Sequence, residues 1–449
     1  MFMKKSSVVL MMKSRFVVVH IMFFLVFSIL IFNTETLSKI ERSDNDDVSI
    51  PPKINYNATS SEEIFNETSF PRYKLAARPF GIIHYPNKIN PVIKLIGESI
   101  SVEVSSSSET TNWNFTMIEG NITVSLEVLK TTFFDDFWTI ETLPSIQRAG
   151  FYDLQLNCSE GSDYQTHAIQ IVEEKNYPFT FIQITDLHLP FYSEDINTTN
   201  IALDELDNIK ALNPDFIVVT GDLIQGPTTY MVDPETGKTV SAELQYKLGI
   251  WYLDLFNLPV YYIHGNHEFS QSSLVPDILR DQWYRYFGPT RYQNYTYLDW
   301  TFVGFGSSFE GLTQAEYDAV AEILAQNSNG STVLYYHYDF QSHASALIKK
   351  FPIELALYGH LHYSDLYLYK DTLYNLESPL FHRAFSTFTI NNETCLSVHS
   401  QTFNFELRPY IPPTPTPSTP SIEDTSFSTF ILILGLMVYY QFKRKKSPP

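Results

Sequence analysis

The chain has 449 residues, of which 44% are hydrophobic, 15% aromatic and 18% charged, a composition that excludes intrinsic disorder and leaves ample material for a large core. With 30 Lys+Arg against 50 Asp+Glu the formal net charge is −20, which argues against non-specific nucleic-acid binding, because that mode needs cations to neutralise phosphates. Two cysteines exclude a disulfide-built scaffold and a thiolate zinc cluster; Cys158 and Cys395 form either one disulfide or two separate buried thiols.

At the start of the chain, Lys4, Lys5, Lys13 and Arg15 precede an apolar run from Phe16 to Phe32, broken only by His20 and Ser28. That order reads as a secretory signal peptide or an uncleaved signal anchor, assigned to residues 1–40. Residues 41–70 carry Asp44, Asp46, Asp47, Pro51 and Pro52 without an apolar period, and are expected to be a linker. Period-2 segments such as 99–104 and 122–128, with a closing hairpin over 150–156 and 167–172, predict a smaller all-β, immunoglobulin-like sandwich over 71–175.

From 176 to 408 short β-branched and aromatic runs alternate with helix-length stretches. Strands are expected at 179–185, 216–220, 259–263, 331–336 and 354–358, and helices near 198–212, 241–257, 274–287, 313–326 and 342–350, with strands again after Leu361. Such alternation implies a sheet covered by helices and a site at the carboxyl ends of its strands. A stalk is expected at 409–426, where Pro412 to Pro420 is too proline-dense to pack. The uncharged 427–442 reads as a single transmembrane helix, and Lys443, Arg444, Lys445 and Lys446 mark 443–449 as its cytoplasmic tail. The expected location is the cell membrane or a secretory-pathway membrane, with the body outside or in the lumen. Nine N-x-S/T triplets, at Asn57, Asn66, Asn114, Asn121, Asn157, Asn197, Asn294, Asn329 and Asn392, fit a glycosylated, exported body.

Each central strand ends in residue types that bind metals. The blocks are Asp186-Leu-His188, Gly221-Asp222, Gly265-Asn266-His267-Glu268, His337 and Gly359-His360-Leu-His362. Asp and His separated by one residue can converge on one ion, and a preceding glycine lets the chain turn sharply. All the donors are nitrogen or oxygen, suiting Zn, Mn or Fe rather than a soft-metal site. Seven candidate ligands with one carboxylate free to bridge would hold two ions, a device suited to attack at phosphorus. His264 reads as structural, His343 and His382 have no nameable partner, and the aromatic stretches 283–287 and 292–300 read as packing, with a stacking surface for a glycan, lipid or nucleotide group as the alternative. Arg383 reads as a surface ion pair, with a substrate phosphate as the alternative.

These five blocks, in this order and at strand ends, resemble the calcineurin-like metallophosphoesterase family over about residues 177–408. The resemblance implies an αββα two-sheet domain in which Asp186, His188 and His362 bind one metal and Asn266, His337 and His360 the other, with Asp222 bridging. It implies hydrolysis of a small phosphoester by a metal-bound hydroxide, with His267 beside the phosphate to stabilise charge or protonate the leaving group, and Glu268 in place to orient His267. The order of domains is also similar to purple acid phosphatases. However, His188 and Gln225 stand where those enzymes lack a histidine and need a tyrosine, which points to the branch containing phosphodiesterases and nucleotidases. The competing reading is a non-catalytic, metal-stabilised adhesion or receptor module.

Overall fold

The computed structural model of the protein describes residues 81–134, 136–145, 148–191, 197–226, 240–269, 276–288, 291–308, 311–327, 330–392 and 396–400. The segments read above as leader, linker, stalk, membrane helix and basic tail lie outside them, as does Cys395; Cys158 is a free thiol. Among the described residues no helix is long and apolar enough to cross a membrane.

The period-2 segments form eight strands: β1 (Ile83–Tyr85), β2 (Val92–Leu95), β3 (Ile100–Ser105), β4 (Asn114–Glu119), β5 (Ile122–Phe134), β6 (Phe137–Pro144), β7 (Gly150–Cys158) and β8 (Gly161–Val172). They make one hydrogen-bonded sheet in the order β1-β3-β6-β5-β4-β7-β8-β2. Its continuity comes from β5, which pairs with β4 over 122–126 and with β6 over 126–134, with a bulge between Val128 and Lys130 inside the second pairing. A bulge bends and twists a strand, and this one lets the two halves of the sheet close on a shared core. Val102, Val104 and Ile140 come from one half, and Phe115, Met117, Tyr152 and Leu154 from the other.

Beyond Tyr177 the parallel strands are runs buried on both faces, as parallel sheets demand. β9 (Phe179–Ile184), β10 (Phe216–Val219) and β11 (Val260–Tyr262) lie parallel to one another. The second sheet holds β12 (Tyr292–Tyr297), β13 (Trp300–Phe305), β14 (Ser331–Tyr335), β15 (Leu355–Tyr358), β16 (Asp365–Tyr369) and β17 (Thr372–Leu376), in the order β12-β13-β14-β15-β17-β16. The antiparallel β18 (Ser386–Ile390) and β19 (Leu396–Ser400) extend the first sheet beyond β9.

Alternation along each strand divides its side chains between two layers. Phe179, Phe181, Phe216 and Val218 meet Phe302, Val333 and Leu357 of the second sheet. Ile182, Ile184, Ile217 and Val219 turn outward to helices α1 (Thr198–Ala211), α2 (Ala242–Leu255) and, after the single turn α3 (Asn266–Phe269), α4 (Pro276–Phe287). Helices α5 (Gln314–Gln326) and α6 (His343–Lys350) cover the second sheet through Val320, Leu324, Ala344 and Leu347. The layers run helix, sheet, sheet, helix, as expected. The helices start where their caps stand: Asn197 accepts from the Asn200 amide, Ser241 from that of Leu244, and Thr313 forms a capping box with Glu316. The 292–305 stretch is a hairpin rather than a packing segment alone, and its buried Tyr295, Tyr297 and Trp300 supply core.

The β-unit is joined to this body through Asp254 of α2. Lys88 and His167, both from the β-unit, pair with its carboxylate, the imidazole at 3.1 Å. Burial alone would raise the pKa of Asp254, but the His167 and Lys88 bonds outweigh it and hold the pKa below the usual value. A depressed carboxylate adds stability above about pH 4, lost as pH falls through its folded-state pKa. Asp254→Asn should therefore lower stability at pH 7 by about 1–3 kcal/mol, and calorimetric melts should show the gap closing below about pH 4.

Candidate metal centre

Five of the donor-bearing residues share an uncommon backbone. Asp186, His188, Asp222, His360 and His362 have φ of 50, 50, 52, 74 and 56°, in the left-handed region that non-glycine residues rarely enter. Each sits just past a strand end, and the tight turn swings its side chain back over the sheet edge. Gly221, at φ 97°, needs its freedom directly. Gly265 and Gly359 answer to space instead: a Cβ on the former would overlap the Asp222 carboxylate, and one on the latter the Thr185 hydroxyl and the Asp186 carboxylate.

The structure brings all seven candidate ligands and His267 together. Asp186, His188 and His362 offer atoms to one point, Asp222, His337 and His360 to a second, and His188, Asp222 and His267 to a third between them. Asn266 joins the second, its Oδ1 3.0 Å from His337 Nε2. His188 and His362 face each other Nε2 to Nε2 at 3.3 Å, and His337 Nε2 faces His360 Nδ1 at 3.2 Å. Asp186 Oδ1 is buried without a hydrogen-bond partner, though His362 Nε2 is 3.2 Å and His188 Nε2 3.5 Å away. Ligands of one ion at about 2.1 Å stand at about these separations from each other. Converging donors with an orphaned buried carboxylate oxygen fit metal ions, and the N/O set fits Zn, Mn or Fe.

Backbone groups aim these side chains. His337 Nδ1 meets the Thr220 carbonyl at 2.8 Å, which makes Nδ1 a donor and turns Nε2 to the cluster. Asp186 Oδ2 accepts from the Thr185 hydroxyl at 2.8 Å and the His360 amide at 2.9 Å. Asp222 Oδ1 accepts from the His267 amide at 2.9 Å, and its Oδ2 lies 3.0 Å from His337 Nε2.

Two fully buried carboxylates dominate the field. Burial would raise the pKa of Asp222, but the His337 and His267 imidazoles override it and hold it well below the carboxylate range. Asp186 is likewise lowered against burial by His337, His188 and His362. Burial would lower His337, yet Asp222 and Asp186 push it up to about 9. Burial brings His267 down to about 4 against the pull of Asp222, and burial with the neighbouring His337 does the same to His360.

Glu268 does not orient His267. Its Oε2 accepts from the Asp222 amide at 3.0 Å and the Gly265 amide at 2.7 Å, and its Oε1 from the Ile224 amide at 3.1 Å. It clamps two ligand loops together; burial, with Asp222 adding, pushes its pKa up to about 7. The group that orients His267 is the Gln225 carbonyl, bonded to its Nδ1. Sequence inspection carried no signal for that contact, since any residue supplies a carbonyl. Arg383 is paired with Glu205 at 2.7 Å and Asp204 at 2.8 Å on α1. His264 is buried against Phe269 and Trp283 with its pKa pushed down to about 3 by burial, a packing role as expected. His343 Nδ1 accepts from the Leu312 amide, and His382 Nδ1 lies 3.3 Å from the Ser378 hydroxyl.

The two-sheet fold and this site define a metal-dependent phosphoester hydrolase. Residues 179–364 match the calcineurin-like phosphoesterase family, whose members work with a dinuclear metal centre, and that stretch is a domain of this kind. Similar solved structures include a dimetal phosphatase from Danio rerio, at 10% identity and TM-score 0.37, covering 49% of this chain and 98% of the other. A putative 5'-nucleotidase from Staphylococcus aureus follows at 15% identity and TM-score 0.34, covering 51% of this chain and 56% of that one. A novel archaeal phosphodiesterase stands at 12% identity and TM-score 0.27, with 49% and 99% covered. No curated protein matches the chain.

Because a Cβ at 359 would push on Asp186, Gly359→Ala should weaken metal binding by about 10–100-fold while leaving the fold cooperative. Metal titration followed by calorimetry reads both quantities.

Proposed function

We propose that this protein is a membrane-anchored, exported phosphoesterase in which Asp186, His188 and His362 hold one metal ion and Asn266, His337 and His360 a second, with Asp222 shared. The observation that carries this reading is the linkage of the donor groups, since His188 and Asp222 each belong to two of them. Such ions, when bound, polarise the phosphoryl oxygens and activate the attacking water.

The chain's own residues then position and neutralise. Asp222, fixed by the His267 amide and by its own amide on Glu268, holds the two donor sets in register. His267 reaches the same space: its ring packs edge-on to His188 at 4.4 Å, its side chain is 14% exposed, and Nε2 lies 3.8 Å from Asp222 Oδ2. With Nδ1 bonded to the Gln225 carbonyl, Nε2 is the nitrogen that meets a phosphate oxygen or a leaving group. The β-unit is read as an immunoglobulin-like sandwich that spaces or presents the catalytic body.

Export is supported by the basic-then-apolar start, the Pro/Thr stretch and the apolar 427–442 before its four cations. Of the sequons among the described residues, Asn114, Asn121, Asn294 and Asn392 are exposed and Asn157 and Asn197 half-buried, so none is closed to a glycan. Endoglycosidase treatment of the full chain made in a secreting cell should lower its mass, and an unchanged mass would discard export.

Hydrolysis of a chromogenic phosphodiester and its monoester should depend on Mn, Zn or Fe and stop with chelator. Asp222→Asn should cut turnover by at least about 10²-fold. His267→Ala should reduce kcat by about 10²–10⁴-fold with metal content unchanged, read by elemental analysis; parent-like turnover would remove His267 from the mechanism.

A further inference from the structure

Three aromatic rings stand against the metal-binding histidines. Phe381 lies 5.7 Å from the ring of His188 and 5.6 Å from that of His362. On the other flank Tyr338 lies 4.6 Å and Phe340 5.4 Å from His360, and those two rings are 4.8 Å apart. All three are half-buried, and none appears in the four core clusters of the described residues. Half-exposed apolar rings at a polar site offer a surface to an apolar occupant.

Both flanks are held rigid from behind. The turn bearing Phe381 is tied down by the Leu380 amide on the Thr185 carbonyl at 3.0 Å, by the fully buried Leu380 side chain, and by Arg383 on Asp204 and Glu205. Arg383 thus serves the turn rather than a phosphate. The loop bearing Tyr338 and Phe340 is fixed by the Tyr338 amide on Ser307 Oγ at 2.9 Å, and by Asp339, which accepts from the Ala344 amide at 2.8 Å and the Ser345 amide at 3.2 Å. Rings fixed in advance lose little entropy when a ligand lies on them.

We infer that Phe381 on one side, and Tyr338 with Phe340 on the other, form an aromatic clamp that selects phosphodiesters bearing planar aromatic groups, one organic arm lying on each flank. This rests on the assignment of the metal donors above. A monoester engages one flank only, and a small alkyl diester engages neither. The planar group is a nucleobase or a simple aryl ring; the chemistry recognised is the same.

Binding of non-hydrolysable analogues tests the clamp without turnover. Diphenylphosphinate should bind the Mn-loaded full chain at least about tenfold more tightly than dimethylphosphinate by titration calorimetry, since a base stacked on an aromatic side chain contributes at about that level. Phe381→Ala and Tyr338→Ala should each bring that ratio down several-fold. Phe381→Leu, which keeps an apolar side chain against His188 and His362, controls for folding and metal content and should lose the ratio as Phe381→Ala does. Methyl(phenyl)phosphinate set against a methylphosphinate carrying a nucleoside through a P–C bond separates aryl from nucleobase, and ring-dependent binding of either supports the clamp. Equal phosphinate affinities in the parent, or a ratio that no ring variant alters, would overturn it. Hydrolysis of bis(4-nitrophenyl) phosphate is read separately: turnover with equal affinities keeps the hydrolase and discards the clamp. Ring-dependent affinities without turnover keep the clamp and discard the hydrolase.

Discussion

Two carboxylates, Asp186 and Asp222, sit at the junction of the two sheets with 0% and 1% of their surface exposed, and the rest of the centre answers to them. An uncompensated buried charge costs several kcal/mol, so each needs donors and cations around it. Close donors include amides, from His360 to Asp186 and from His267 to Asp222, both supplied by other ligand-bearing loops. Imidazoles come next, and the push on His337 to about 9 records how strongly the pair attracts positive charge. Glu268 adds a third buried carboxyl to the same neighbourhood, where its bonds to three amides of the Asp222 and Gly265 loops offset the repulsion from Asp222. Charge and loop geometry are therefore one problem here: the loops that bring the carboxylates together also supply the groups that make them tolerable.

Much of this was legible in the sequence because the elements obey local rules. Parallel strands such as Phe216–Val219 are short apolar runs bounded by turns, and the helix starts coincide with Asn197, Ser241 and Thr313. Metal donors were legible for a different reason, since only a few side chains can coordinate and they recur at strand ends. What escaped has no side-chain signature. The Gln225 and Thr220 carbonyls that aim His267 and His337 could belong to any residue, and the clamp made by Glu268 runs to amides. The hairpin Tyr292–Phe305 was hidden because its buried tyrosines serve a strand and a packing layer equally well. β5 joins both halves of the β-unit by pairing with β4 and β6 on either side of Leu126, and no residue announces that change of partner or the bulge that follows it.

The junction between the β-unit and the catalytic body is built from few groups of high charge. Asp254 gathers Lys88 and His167, and the Ile89 carbonyl accepts from the Tyr262 amide at 3.0 Å. Ile89 and Ile93 enter the two cores of the catalytic body, so apolar burial and ion pairing act on the same short stretch of chain. The orientation of the β-unit is set by that stretch, and β2 and the Tyr262 end of β11 are its fixed points.

The positive φ of five donor residues has a consequence for how this chain can vary. Among residues able to bind a metal, only Asp, Asn and His enter the left-handed region with any ease, and the types found at 186, 188, 222, 360 and 362 are Asp and His. Coordination and backbone together reduce the alphabet at these positions to about three letters, where a strand position such as Val218 accepts most apolar residues of its size. Drift elsewhere can erase kinship while the punctuation of the strand ends stays readable.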